Sequence, residues 1–159
     1  KLQVPTERAA LLAHLSSGRV GAALRFEQDP ELLRGYEDAL DQLEELLCSS
    51  RRQRLQYVEK LQKGKGAQRE LAGQLVSAWL SFWRDALIVR SGADMPLVNQ
   101  ERQGFLREAA GQMEFQRIET VLEQHEKALA QLEAYVNPRL TLECLLLTLP
   151  ILKAAWGRQ

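Results

Sequence analysis

This chain of 159 residues contains few cysteines and histidines and carries no formal net charge. It contains two cysteines and two histidines, and its 21 basic residues balance its 21 acidic ones. Because Cys48 and Cys144 lie far apart without a paired spacing, we expect two free thiols rather than a disulfide. A net charge of zero gives no whole-chain field that would attract nucleic acid or acidic lipid.

Long apolar runs are also missing. No stretch reaches the roughly 18 residues that a membrane helix needs, and residues 1–15 lack the continuous apolar centre of a signal peptide. We therefore expect no membrane partner. The chain begins with Lys1 rather than Met, so we expect a fragment or a processed piece.

Residues with catalytic or ligating chemistry do not form a recognisable motif. His14 and His125 have no second ligand at a metal-binding spacing, and His125 lies on the apolar stripe of its helix, so we interpret it as a core histidine. Residues 63–66 lack the upstream glycine and the following Ser or Thr of a phosphate-binding loop, which favours a linker. The sequence thus predicts no catalytic residue, no metal site and no cofactor.

Arg84 and Asp85 are adjacent on a predicted helix, so their side chains point apart and need separate partners. We interpret Asp85 as a buried carboxylate that caps a loop and Arg84 as a surface residue. An active-site acid at Asp85 is the alternative.

Helical spacing, by contrast, runs through nearly the whole chain and predicts an all-α fold. Predicted helices cover 6–15, 19–26, a segment starting at Asp29-Pro30, 51–63, 71–91, 100–113, 118–136 and the leucine-rich 138–149. In the helix ended by Gly92, three aromatic residues share a wide apolar face and are predicted to be core: Trp79, Phe82 and Trp83. A change from acidic to basic residues near 49 suggests a boundary between two parts.

The segment NPRLTLECLLLTLP, residues 137–150, is almost too apolar to face water. Asn137 can cap the helix and Pro138 suits its first turn. One face is predicted to pack inward, and it consists of Leu142, Leu145, Leu146 and Leu149. The opposite face carries Glu143, so Leu140, Glu143 and Leu147 are predicted to lie on the less deeply buried side of the helix.

Four segments occur in an order that resembles the delta-prime family of bacterial DNA polymerase III clamp-loader subunits: LSSGRVGAALRFEQDPELL at 15–33, LSFWRDALIVRSG at 80–92, LVN at 97–99 and NPRLTLECLLLTL at 137–149. The resemblance implies a three-helix AAA+ lid over 1–49 and a helical collar domain over 50–159. It also implies a non-catalytic scaffold in the bacterial cytoplasm. Its partners would be gamma/tau-like ATPase subunits and delta-like subunits, and indirectly the sliding clamp and primer–template DNA. In a collar domain, the outer residues Leu140, Glu143 and Leu147 would contact a neighbouring subunit.

The start of the second lid helix distinguishes clamp-loader subunits that bind ATP from those that do not. ATP-binding relatives carry Gly-Ser-x-Arg-Asp-Ala-Leu at the second lid helix, and the arginine reaches the phosphates. Here Gly21 occupies that arginine position. Arg19 lies about 200° away around the helix. We therefore expect this chain neither to bind nor to hydrolyse ATP.

Two other functions remain open from the sequence. A free-standing helical adaptor could bind a partner helix in a groove lined by Trp79, Phe82 and Trp83. Alternatively, residues 49–69, which gather seven basic residues and one acidic residue, could bind DNA directly.

Overall fold

A computed structural model describes residues 30–64 and 67–153, and every regular element within them is helical. The order is α1 (Pro30–Leu47), α2 (Arg51–Gln62), α3 (Gln68–Ser91), a short 3₁₀ turn (Gln100–Arg102), α4 (Gln103–Gly111), α5 (Phe115–Glu133) and α6 (Pro138–Thr148). The predicted all-α class is confirmed for this part of the chain. The helices predicted at 6–15 and 19–26, together with Gly21, lie outside the described residues.

Helix ends follow the local sequence signals. Ser50 caps α2 through a reciprocal pair of bonds: its Oγ accepts from the Gln53 N–H at 3.3 Å, and Gln53 Oε1 accepts from the Ser50 N–H at 2.8 Å. The C-cap of α3 is Gly92 in the left-handed region, with φ of 71°, which glycine adopts without a Cβ penalty.

The predicted helix over 100–113 is divided into a 3₁₀ turn and α4. Asn99 precedes this turn but makes no side-chain cap. Its amide instead donates to Asp85 at 2.8 Å and accepts from Tyr36 at 2.5 Å. Since the best capping side chain is used elsewhere, no side chain caps the segment at its start, and it opens as a 3₁₀ turn before α4 begins.

The long helix α3 forms the centre of the fold and runs antiparallel to α5. At one end Arg69 donates to the Leu132 carbonyl at 2.6 Å, and at the other Arg90 lies 3.4 Å from Glu114. Three aromatic side chains of α3 are fully buried: Trp79, Phe82 and Trp83. The core is therefore organised around the predicted aromatic face.

Helix α1 belongs to the same core. Leu43 and Leu47 are fully buried in one cluster with Val58 of α2, and Trp79 Nε1 donates to the Ala39 carbonyl at 2.8 Å. The predicted division into 1–49 and 50–159 remains a prediction, because residues 1–29 lie outside the described part. Within that part, α1 packs with the helices that follow residue 50.

None of the helices within 30–64 and 67–153 combines the length and the hydropathy that crossing a bilayer requires.

Candidate subunit interface

Helix α6 starts as its sequence predicts. Asn137 Oδ1 accepts from the N–H groups of Arg139 and Leu140 at 3.0 and 3.4 Å, and Pro138 occupies the first helical position. Proline is favoured there because its missing N–H has no helical partner to lose.

The inner face of α6 is closed off from water. Leu142, Leu145, Leu146 and Leu149 are exposed by 2, 4, 0 and 4%, respectively. All four are residues that the sequence analysis assigns to the core.

The outer face of α6 carries an apolar stripe, which consists of Leu140, Cys144 and Leu147. Leu140 is 50% exposed, Leu147 is 39% exposed, and the Cys144 thiol is free and exposed. Positions four and seven residues apart lie on one side of a helix, so the three side chains form a continuous outer stripe. The α6 stripe includes both leucines that the sequence assigns to a subunit contact.

Glu143 lies beside the α6 stripe and already has a partner. Its carboxylate accepts from Arg139 Nε at 2.7 Å, and the two side chains are 26% and 53% exposed. This hydrogen bond, first, and the charge of Glu143, second, raise the pKa of Arg139. An exposed i,i+4 pair adds little stability.

The inner side of α2 carries a completely buried arginine, Arg54. Its Nε donates to the Leu46 carbonyl at 2.9 Å, near the C-terminus of α1. One terminal nitrogen, Nη1, donates to the carbonyls of Leu146 and Leu149 at 2.9 and 2.7 Å, and Nη2 donates to that of Pro150 at 2.6 Å. Burial lowers the pKa of this guanidinium, but it keeps its charge in proteins. Arg54 therefore holds together the negative dipole ends of α1 and α6.

Pro150 explains why such a donor is needed. In a continuing helix residue 150 would donate its N–H to the Leu146 carbonyl, but proline has none. Arg54 supplies that donor from another helix. The segment after α6 is then fixed by Leu152 N–H, which donates to the Leu47 carbonyl at 2.8 Å. Gln112 completes the attachment with two bonds to the Lys153 backbone, at 2.8 and 3.0 Å.

A second polar cluster lies between α1, α3 and the loop that follows α3. Asp85 is 1% exposed and accepts the N–H groups of Val98 and Asn99 at 3.1 and 2.7 Å. Tyr36 lies 2.6 Å from Ser81 in the same cluster, and burial is the main cause that raises the pKa of Tyr36 to about 12. The interpretation of Asp85 as a buried carboxylate that caps a loop is confirmed.

Comparison with known proteins decides the family. Residues 31–150 match the family model described as "DNA polymerase III, delta subunit, C terminal". The chain belongs to this family. The comparisons returned no match among curated proteins and none among solved structures. The matched range starts within α1 and ends at the proline whose carbonyl Arg54 binds, so it contains both polar clusters and the α6 stripe.

Within this clamp-loader domain, the three α3 aromatics do not line a groove. Trp79, Phe82 and Trp83 are each 0% exposed, because α1, α4 and α5 pack over α3. The suggested adaptor groove at these residues is therefore wrong. Tight aromatic packing explains the result: Phe82 meets Trp83 edge-on, with ring centroids 5.3 Å apart.

The basic segment 49–69 is not a continuous charged face in the described residues. Arg54 is buried, Lys63 pairs with Glu59 at 3.2 Å, and Arg69 donates to two carbonyls at the end of α5. Three exposed basic residues of the segment have no ion pair in the described structure: Arg51, Arg52 and Lys60.

Side chains that could hold a metal ion are not grouped in the part of the domain that the structure describes. No three His, Cys, Asp or Glu residues there are placed to hold a metal ion. His125 is fully buried and its Nδ1 lies 2.7 Å from the Val121 carbonyl, as expected for a core histidine.

Sequence reasoning missed Arg54, which it counted among the surface cations. A signal was present, since Arg54 precedes Val58 by four residues and Leu61 by seven, on the apolar side of α2. The role of Gln112 could not be predicted from helical spacing, because its two hydrogen bonds are made to the distant backbone of Lys153.

Proposed function

We propose that this chain is the non-catalytic assembly part of a bacterial clamp-loader subunit of the delta-prime type. It helps to hold gamma/tau-like ATPase subunits and a delta-like subunit in a ring, which opens a sliding clamp at primer–template DNA during replication. The family match supports membership of the clamp loader. The delta-prime assignment is supported by the order of its sequence segments and by Gly21.

The α6 stripe is the observation that carries the assembly role. Leu140 and Leu147 are 50% and 39% exposed on a helix whose opposite face is sealed into the core. Apolar side chains of this kind, grouped in a stripe, are typical of a surface that another protein covers. We propose that Leu140, Glu143 and Leu147 lie at the subunit contact.

The same proposal includes an absence of ATP chemistry. Gly21 has no side chain with which to reach a phosphate, and it replaces the arginine of ATP-binding relatives. We also keep a two-part organisation as a proposal, with a lid-like part first. The packing of α1 into the shared core supports placing the boundary upstream of Pro30 rather than at residue 49.

Leu147→Asp tests the assembly role. The chain is co-expressed with the gamma/tau-like and delta-like subunits of its source, and the complex is measured by co-purification and size-exclusion chromatography. We expect the variant to fold, as judged by circular dichroism, and to lose assembly, because the contact would bury an unpaired carboxylate. Leu71→Asp is the matched control, since Leu71 is 38% exposed on α3.

Two results would contradict the proposed contact at Leu147, and a third would overturn the scaffold function. Unfolding of the Leu147→Asp variant would show that Leu147 belongs to the core. A folded variant that assembles as well as the control would place the ring contact elsewhere. Failure of the wild-type chain to assemble with any clamp-loader subunit would overturn the scaffold function itself.

A further inference from the structure

The groove between α2 and α6 extends the α6 stripe onto a second helix. The two helices run antiparallel, because Arg54 reaches the Leu146 and Leu149 carbonyls while Glu59, further along α2, acts electrostatically on Arg139 at the start of α6. Residue 55 of α2 is therefore level with the C-terminal half of α6.

Helical geometry shows which side of α2 borders this groove. Tyr57 donates to Gln42 on α1, which fixes the α1 side of the helix. At about 100° per residue, Leu55 lies roughly 160° around the helix from Tyr57 and within about 40° of Glu59, on the α6 side. Leu55 is 38% exposed and Leu147 is 39% exposed. The groove thus has an apolar residue on each wall.

The N-terminal end of α2 adds charge to this groove. Arg51 and Arg52 are exposed in the first turn, which contains no acidic residue. Cations are unfavourable at a helix N-terminus, where the macrodipole is positive. Arg51 is also close enough to lower the pKa of the buried Arg54, after the larger effect of burial. Two arginines at this place do not stabilise α2 through the macrodipole, and neither has an ion pair in the described structure.

From these contacts we propose that the α2–α6 groove receives an amphipathic helix of another clamp-loader subunit. Apolar side chains of that helix contact Leu55 and the α6 stripe, and its carboxylates pair with Arg51 and Arg52. Charge complementarity selects an acidic partner helix, because Glu59 and Glu143 are already paired with Lys63 and Arg139, whereas Arg51 and Arg52 have no ion pair in the described structure. The inference rests on the proposed assembly function and adds its second helix and its partner chemistry.

A charge reversal separates binding from folding. We expect the double variant Arg51→Glu/Arg52→Glu to be at least as stable as the wild type in urea denaturation, because acidic residues suit a helix N-terminus. In the same chain, affinity for the co-expressed clamp-loader subunits should fall by about tenfold or more. Arg84→Glu on α3 is the control, since Arg84 is an exposed arginine outside the groove.

Cross-linking identifies the partner segment. A photoreactive p-benzoylphenylalanine at position 55 should cross-link the assembled complex to one peptide with helical spacing of apolar residues and a net negative charge. The same group at position 71 should give no such product. Three results would overturn the proposal that the groove binds an acidic helix: cross-linking to a basic peptide, no cross-linked product at position 55, or normal affinity of the double variant. None of them would contradict the proposed contact at Leu147. If the wild type fails to assemble, the proposed function fails first.

Discussion

Replacing Arg54 tests the hydrogen bonds that join α2 to the ends of α1 and α6. The guanidinium is fully buried and bonds the ends of α1 and α6. Arg54→Met keeps much of the side-chain volume and removes every donor.

The expected loss follows from the acceptors left behind. The carbonyls of Leu149 and Pro150 lie past the end of α6, and Arg54 is the donor that the described residues supply to each. The Leu146 carbonyl cannot use residue 150, which is proline. An unsatisfied buried acceptor costs about 1–3 kcal/mol, so the buried carbonyls of Leu146 and Leu149 together cost about 2–6 kcal/mol, and the part-buried Pro150 carbonyl adds less. The variant no longer has to desolvate a buried cation, which offsets part of this cost. We therefore expect the free energy of unfolding to decrease by about 3–5 kcal/mol in total.

Urea denaturation followed by far-UV circular dichroism measures this loss, with the midpoint and slope fitted together. Arg54→Lys should give an intermediate loss, because an ammonium keeps the charge but lacks the planar fork of five donors. Arg52→Met is the control on the same helix, and its exposed position predicts a change within about 0.5 kcal/mol. A loss below about 1 kcal/mol in Arg54→Met would refute the reasoning.

Three further predictions concern single residues. Trp83→Ala should lower the free energy of unfolding by about 3–5 kcal/mol, and a change below about 1 kcal/mol would show an exposed ring. Burial, partly offset by the bond to Val121, lowers the pKa of His125 from 6.5 to about 4. As the pH falls, His125 is therefore protonated in the unfolded chain before it is protonated in the folded one. The free energy of unfolding should decrease by about 3 kcal/mol as the pH is lowered from 6.5 to 4. The His125→Gln variant should not show this loss of stability at low pH. Identical profiles of stability against pH for the variant and the wild type would therefore contradict the prediction. Tyr135 has a φ of 60° and is 82% exposed, and the Arg69 guanidinium lies over its ring. Tyr135→Gly should leave stability unchanged or raise it by up to about 1 kcal/mol, because relief of strain offsets the lost cation–π contact; a clear loss in urea denaturation would contradict this.

Local patterns predicted the helices and much of the core. Apolar spacing around Trp79 and Trp83 required a buried face, and Asn137-Pro138 defined the start of α6, because both effects depend on neighbours within two turns of helix. The outer position of Leu147 followed from a single charge at Glu143, which marked one face of an otherwise apolar helix.

Features set by distant neighbours could not be predicted in the same way. The burial of Arg54 depends on carbonyls more than 90 residues away. Tyr135 occupies the left-handed position of a Schellman motif, shown by the bond of 2.9 Å from the Val136 N–H to the Gln131 carbonyl. Glycine is the usual residue there, so a turn at a tyrosine could not be predicted from the local residue types.

The acceptors of Arg54 also impose an order on events during synthesis. The chain leaves the ribosome with its N-terminus first, and α1 and α2 emerge long before residues 146–150. Until those residues appear, Arg54 can reach the carbonyl of Leu46, and that of Leu47 at 3.5 Å, but not the carbonyls of Leu146, Leu149 and Pro150. A nascent domain must therefore keep this cation in water, and closure of its core waits for α6.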